Sequence, residues 1–199
     1  MVLDRLFRYA RLVCAAAVLA AISLAQGPAP VAARTNWTID PARTQIAFAI
    51  DAVGYPRTEG HFRRFEGRIS VDFERPEKSS VAFHVQSGSV DVGSASFSDY
   101  LRSPAFLDAD RYPSIDFVST SIQRVNDHMV RVSGDLTLLG VTKPLSVDVA
   151  VTRDAGGGRQ RLDFQAETRI DRLEFGMNSG YPLVSREVRL VISSAAIEL

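Results

Sequence analysis

The chain contains few of the residues that bind metal ions or form covalent intermediates. Its single cysteine, Cys14, lies near the start, so the rest of the chain has no thiol for a disulfide or a thiolate. None of the three histidines, His61, His84 and His128, has the spacing to another histidine or a cysteine that a metal site requires. We therefore expect solvated histidines, no metal and no cofactor.

The sequence also lacks the signature motifs of common catalytic sites. It has no Gly-x-Ser-x-Gly elbow, and its glycine run at residues 156–158 is not followed by the Lys-Ser/Thr pair of a phosphate-binding loop. Two carboxylates could act as acid and base only where Asp99, Asp108 and Asp171 lie between predicted strands. Salt bridges to neighbouring arginines explain these acids better, so we expect no catalytic residue and a protein that is not an enzyme.

Neither sign of charge is in excess. The chain has 23 basic and 23 acidic residues, and its formal net charge is zero. This balance provides no electrostatic basis for binding nucleic acid or an anionic membrane. Beyond the first 33 residues, no apolar run approaches the about 20 residues of a membrane-spanning helix.

The first 33 residues have the pattern of a secretory signal peptide. Arginines precede an apolar run at residues 12–24, which is too short to span a membrane. Small residues before Ala33 suit a signal peptidase, and those before Ala25 provide a second cleavage site. Cys14 lies too early in the run to be a lipoprotein cysteine. We predict export to the bacterial periplasm or beyond, and one domain over residues 34–199.

Apolar and polar residues alternate in eight segments of this domain. Such period-two alternation is typical of strands that bury one face. The clearest pair is joined by the turn in Gly134-Asp-Leu-Thr-Leu-Leu-Gly-Val-Thr-Lys-Pro144. The eight segments are residues 46–50, 69–73, 81–85, 115–117, 130–138, 145–151, 162–170 and 188–192; a further strand near 60–65 is poorly patterned. Their number and short spacing favour an all-β barrel or sandwich.

One segment has helical spacing instead. Phe97, Tyr100 and Leu101 fall on one helical face, Ser94 or Ser96 can cap the helix, and Pro104 ends it. We predict a short helical connection around residues 96–108 that lies across a barrel mouth or one face. A barrel of about eight strands either fills its interior with side chains or holds an apolar ligand, and the pattern leaves both alternatives open.

A series of motifs covers most of the domain and resembles the YceI-like family of secreted polyisoprenoid-binding proteins. The motifs occur in the family's order over about residues 36 to 199: Trp37-Thr-Ile-Asp40, Thr44-Gln-Ile-Ala-Phe48, Gly60-His-Phe62, Phe65-Glu-Gly67, Val71-Asp-Phe73, Asp99-Tyr-Leu-Arg-Ser103, Phe106-Leu-Asp108, Tyr112-Pro-Ser-Ile-Asp-Phe117, the Gly134 to Pro144 turn, Ile170-Asp-Arg172 and Phe175-Gly-Met177. The resemblance implies an extended eight-stranded antiparallel lipocalin-like barrel with a lipid tail in its lumen. It also implies ligands such as polyprenyl chains, isoprenoid quinones or fatty amides, bound without metal or catalysis.

The chain departs from the family pattern at two places. Val53-Gly-Tyr-Pro56 stands where a histidine often follows the first strand, and Ser98-Asp99 replaces an Arg-Asp pair. The head-group contacts of those side chains are therefore not carried over. The departures do not concern the barrel itself.

We predict that the protein binds, sequesters or transports a long-chain apolar lipid, a polyisoprenoid or an isoprenoid quinone. The predicted lumen lining consists of apolar side chains on the inward parity of the strands and in the helical connection: Phe48, Ile50, Phe62, Phe83, Leu101, Phe106, Phe117, Leu138, Val147, Phe164 and Phe175. One alternative is a filled barrel that acts as a stress-related interaction module. Another is an enzyme that modifies a lipid or quinone at the mouth. The sequence leaves open whether the protein forms a homodimer.

Overall fold

The computed structural model describes residues 34–154 and 160–199. The predicted signal peptide and the glycine-rich hairpin tip lie outside the described residues. Within them the chain forms eleven strands and one α-helix, α1 (Ala95–Arg102). The strands are β1 (Thr35–Ile39), β2 (Gln45–Ala52), β3 (Tyr55–Phe62), β4 (Phe65–Val71), β5 (Ser80–Gln86), β6 (Val90–Asp91), β7 (Ser114–Asn126), β8 (Met129–Leu138), β9 (Val141–Asp154), β10 (Arg161–Asp171) and β11 (Val184–Glu198).

These strands form one closed antiparallel barrel of eight members. Three members are interrupted: β1 and β2 are separated by the 3-10 turn Pro41–Arg43, β3 and β4 by Arg63 and Arg64, and β5 and β6 by the 3-10 turn Ser87–Ser89. β1 pairs with β4 while β2 pairs with β3, and β6 continues alongside β3. The remaining strands follow in sequence order from β7 to β11, and β11 closes the barrel against both β1 and β2. The predicted eight-stranded antiparallel barrel is thus confirmed.

Several strands differ from the alternation pattern: it did not predict β1 and β6, and β7 and β11 extend well beyond the predicted residues 115–117 and 188–192. β3 is a full strand of eight residues although its sequence is poorly patterned, because its first residues are exposed on both faces. β4 ends at Val71, two residues before the predicted end. Beyond it, the buried Asp72 accepts a hydrogen bond of 2.8 Å from the backbone N–H of Arg75 and so forms a turn.

The predicted helical connection is present as α1, which is preceded by Ser94 and ends at Arg102. Arg102 fixes α1 to the neighbouring chain: its Nε donates to the carbonyl of Gly88 and its Nη2 to that of Val90, both at 2.9 Å. The residues that follow form turns, with Asp108 at a positive φ of 42°. The connection therefore continues to β7 without further helix.

The core comprises two clusters of buried apolar residues. One contains Ile46, Phe62, Leu107, Leu138 and Phe175 among others, and the second contains Trp37, Ile39, Ile69, Leu162 and Ala196. Many inward-facing residues of the barrel wall are only half-buried, as along β9, where Leu145, Val147 and Val149 alternate with exposed neighbours. Half-burial on an inward face indicates free space inside the barrel.

Candidate ligand-binding cavity

A cavity of about 1050 Å³ lies inside the barrel. Its volume is at the upper end of the range of roughly 300–1,000 Å³ that holds small-molecule ligands. The wall is predominantly apolar, and side chains from β2 to β11 contribute to it. A lumen of this size fits an extended apolar molecule better than a compact polar one.

The structure places ten of the eleven predicted lining residues on this wall. They are Phe48, Ile50, Phe62, Phe83, Leu101, Phe106, Phe117, Leu138, Val147 and Phe164. Phe175 is not among the lining residues; it is buried in the core cluster at the end of the 3-10 turn Arg172–Phe175. The side chain of Asp171 caps this turn, and Gly176, with a φ of 84°, ends it. Phe175 therefore belongs to the same buried cluster as the lining residues Phe62 and Leu138, but it does not border the free space.

Sequence reasoning missed two groups of lining residues. The first lies on the same apolar parity of the strands, where alternation predicts it: Ile46, Ile115, Leu136, Leu145, Val149, Val151, Leu190 and Ile192. The second lies near the ends of strands and in their connections: Tyr55, Phe97, Tyr100, Met177 and Gly180. The helical period placed Phe97 and Tyr100 on one face of α1 with Leu101, but it did not show that this face lines the cavity. The second group marks one place where the cavity reaches the surface, because Tyr55, Phe97 and Tyr100 both line it and are exposed. Exposed lining residues also occur beyond the ends of β4 and β7, at Phe73, Asp127 and His128.

Two phenylalanine rings closely approach glycines of the wall. A Cβ on Gly60 would approach Cζ of Phe48 to 2.5 Å, and one on Gly134 would approach Cζ of Phe117 to 2.6 Å. Only a residue without a side chain permits this approach of the rings to the backbone. The rings therefore occupy space that a wall side chain would fill, and the lumen beside them stays free.

Aromatic side chains of α1 and its following turn form one side of the mouth. The rings of Phe97 and Tyr100 are stacked with centroids 6.3 Å apart, and Phe106 meets Tyr100 edge to face at 5.1 Å. Such geometries are favourable for aromatic pairs. The β2–β3 turn and residues 177–184, which precede β11, also contribute lining residues to the mouth.

One fully buried cation, Arg172, belongs to the cavity wall. Its guanidinium donates to the backbone carbonyls of Ser185 at 2.7 Å and Val184 at 3.0 Å, and also to that of Met177. Burial lowers the pKa of Arg172, and the nearby carboxylate of Asp171 acts in the opposite direction. The side chain thereby ties residues 177–185 to the end of β10.

The acids considered as a catalytic pair are separated by their partners. Asp99 pairs with Arg102, and Asp171 accepts from Nε of Arg186 at 2.8 Å. The hydrogen bond from Arg186 lowers the pKa of Asp171. Among residues 34–154 and 160–199, no hydrogen bond joins two carboxylates of Asp99, Asp108 and Asp171. The arrangement provides no proton-sharing pair of the kind that acid–base catalysis uses.

The histidines lie apart from one another. His84 is exposed, and its Nδ1 lies 2.6 Å from the carboxylate of Asp116, whereas His61 lies 3.9 Å from that of Asp91. His128 is in the exposed turn between β7 and β8. In the described part of the chain, no three potential metal-ligating side chains are grouped closely enough to hold an ion.

A closed eight-stranded antiparallel barrel with an apolar cavity beneath a short helix defines a lipocalin-like binding barrel. The family model for the YceI-like domain matches residues 37–196. Protein YceI of Shigella flexneri and that of Escherichia coli O157:H7 are each 33% identical over 155 residues, which span 77% of this chain and 81% of the relative. The chain belongs to the YceI-like family.

Solved structures share this fold. BcnA of Burkholderia cenocepacia superposes with a TM-score of 0.73 at 24% identity, covering 79% of this chain and 98% of BcnA. A polyisoprenoid binding domain from Saccharophagus degradans, implicated in plant cell wall breakdown, superposes with a TM-score of 0.68 at 15% identity, covering 82% and 98% of the two chains. At these identities the likeness shows the barrel architecture alone.

Proposed function

We propose that this protein binds a long-chain apolar lipid, a polyisoprenoid or isoprenoid quinone, in the barrel lumen. The observation that carries this proposal is the cavity of about 1050 Å³ with a predominantly apolar wall. Burial of apolar surface contributes about 25 cal/mol per Å², so a long hydrocarbon chain gains affinity without specific polar contacts. A filled barrel would have no such continuous free volume.

Family membership supports the same ligand class. One protein of this fold, the Saccharophagus degradans domain, is described as polyisoprenoid binding. Asp99 and Asp171 at the mouth each form an ion pair with an arginine, which favours binding of the lipid over its chemical modification. Binding therefore serves sequestration or transport of a molecule that is insoluble in water.

The proposed location is the bacterial periplasm or the extracellular medium. The N-terminal pattern of a basic start, a short apolar run and small residues supports export. Within residues 34–154 and 160–199, none of the helices combines the length and apolarity needed to cross a bilayer. A binding barrel in that location would shield lipid chains from water between membranes.

Native mass spectrometry tests the proposal directly. The full chain is expressed in an export-competent host and purified without detergent, and its native mass is compared with the mass after organic extraction. We expect a discrete additional mass that extracts as a prenyl or acyl compound. A protein that stays at its apo mass after incubation with quinones and polyprenyl lipids would contradict the proposal.

A pair of neighbouring substitutions tests the assignment of the lumen. Phe117→Asp places a charge on the cavity wall, and we expect loss of bound lipid because a carboxylate there must be desolvated. Val118→Asp, on the next residue of β7, places the same charge on the exposed face and should leave the lipid bound. Circular dichroism checks that both variants fold. Equal lipid content in two folded variants would show that the lumen is not the binding site.

A further inference from the structure

Exposed apolar side chains are concentrated around the cavity mouth. Six of the eleven large hydrophobic residues that are exposed within residues 34–154 and 160–199 lie there, and we call them the rim patch: Val53, Tyr55, Phe97, Tyr100, Tyr181 and Leu183. Val53 is 70% exposed, Tyr55 78%, Tyr181 54% and Leu183 64%. Exposed apolar clusters of this kind mark surfaces that contact a protein or a membrane.

The rim patch is continuous with the cavity wall. Tyr55, Phe97 and Tyr100 are lining residues themselves. Val53 and Leu183 directly follow and precede the lining residues Ala52 and Val184, which pair between β2 and β11. The backbone N–H of Val53 donates to the carbonyl of Leu183 at 2.8 Å, so the two exposed side chains are held next to each other. An apolar molecule can therefore pass from this surface into the lumen without crossing a polar rim.

Charge around the rim patch is neutralised in pairs. Arg57 donates to Asp51 through two hydrogen bonds of 2.8 and 3.1 Å beside Val53 and Tyr55. Asp99 and Arg102 pair on α1, and Asp171 and Arg186 pair near Leu183. These three ion pairs contribute no net positive charge that would attract anionic lipid heads, and Glu174 adds a negative charge near Arg186 and Tyr181. Contact with a bilayer would rest on burial of apolar side chains instead.

We propose that the rim patch docks the cavity mouth onto the surface of a phospholipid bilayer, from which the apolar ligand enters the lumen. This proposal rests on the proposed lipid-binding function. Tyrosines suit the boundary between head groups and acyl chains, because each has an apolar ring and a polar hydroxyl. The rim patch comes from three separate segments, the β2–β3 turn, α1 and the turn before β11, which is suited to shallow insertion of several side chains.

The test measures co-flotation of the protein with phosphatidylcholine vesicles, which are zwitterionic, at low and high salt. The variant Val53→Ser/Leu183→Ser, here called the rim variant, removes two side chains of the rim patch without changing a lining residue. Its matched control, Val118→Ser/Val125→Ser, removes two exposed apolar side chains of β7. We expect the wild type and the control to float equally at both salt concentrations, and the partition of the rim variant to fall at least about tenfold.

Three outcomes would overturn the proposal. The first is a rim variant that floats as well as the wild type. The second is a wild type that floats only when anionic vesicles replace the phosphatidylcholine vesicles, and then at low salt only. The third is a dimer in sedimentation equilibrium that the rim variant loses, which would assign the rim patch to a second copy of the chain. The native mass of each preparation shows whether residues 1–33 remain attached.

A separate measurement distinguishes failure of docking from failure of lipid binding. A fluorescent fatty acid analogue added from ethanol reaches the lumen without a vesicle. If the wild type and the rim variant both take up this probe but neither floats with vesicles, the docking proposal is rejected and lipid binding is retained. A wild type that takes up neither the probe nor a lipid would reject the proposed function as well.

Discussion

At the scale of single residues, Gly60 and Gly134 determine where two of the largest lining side chains lie. A Cβ on Gly60 would clash with the Phe48 ring, and a Cβ on Gly134 would clash with the Phe117 ring. At Gly134 the carbonyl of Val118 would also meet the Cβ, at 2.4 Å, so that strand itself would have to shift. At Gly60 the obstructing atoms belong to side chains alone, which makes Gly60 the better position for a test.

Gly60→Ala is expected to move the Phe48 ring into the lumen and so reduce the capacity for lipid. Overpacking of this kind costs about 1–3 kcal/mol of stability, which leaves the barrel folded. The measurement is competition between lipids of increasing chain length for a fluorescent probe, and the longest lipids should lose affinity most. Gly88→Ala is the matched control, since its Cβ would meet only Cβ of Ala109 at 3.9 Å. An unchanged length preference in Gly60→Ala would contradict this account.

At the scale of elements, the segment that follows β10 is held by one buried side chain. Arg172 is the first residue of the 3-10 turn Arg172–Phe175, and its guanidinium donates hydrogen bonds to the backbone carbonyls of Met177, Val184 and Ser185. The bridged segment includes Tyr181 and Leu183 of the rim patch. A long side chain with a planar, forked head can reach several carbonyls at once, which lysine cannot reproduce.

Arg172→Met is expected to lower the free energy of unfolding by about 3 kcal/mol, because buried carbonyls lose their donors. Urea unfolding followed by circular dichroism measures the change. Arg169→Met is the control: Arg169 is exposed and lies 3.9 Å from Glu187, so its loss should cost less than about 1 kcal/mol. Equal midpoints for the two variants would mean that Arg172 does not hold this segment.

The strands differ in how well the sequence predicts their inward face. The inward parity of β2, β5, β7, β8, β9 and β10 was predictable, because alternation depends on neighbours along one strand. β3 was not, since its first residues Tyr55, Pro56 and Arg57 are exposed on both faces. Phe175, which the sequence predicts in the lumen lining, is buried beside the lining residues Phe62 and Leu138 without bordering the cavity, because its direction depends on how the turn after β10 closes.

At the scale of the whole molecule, arginine–carboxylate pairs cover the outside of the barrel. Arg131 donates to Asp148 at 2.7 and 2.9 Å between β8 and β9, and Arg189 donates twice to Glu167 at 2.7 Å between β10 and β11. These hydrogen bonds lower the pKa of Asp148 and of Glu167. Each of these strands therefore carries charged side chains on its outer face and apolar side chains on its inner face.

These pairs predict the direction of the pH dependence of stability. A carboxyl pKa that is lowered in the folded state contributes stability above the unfolded pKa, and this contribution disappears as pH falls through the folded pKa. We expect the free energy of unfolding to decline below about pH 4. Urea unfolding between neutral pH and about pH 2 measures it, and Asp148→Asn should flatten the decline. A stability that rises on acidification would contradict the role of these pairs.

The sequence by itself determined the all-β class, the short helix and the inward face of most strands, because each follows from residues that are close along the chain. Tertiary structure alone decided that the lumen is open. Free volume depends on rings such as Phe48 and Phe117 meeting glycines on other strands. It also decided where the mouth lies, because the rim patch joins residues near 53, 100 and 182 that only barrel closure brings together.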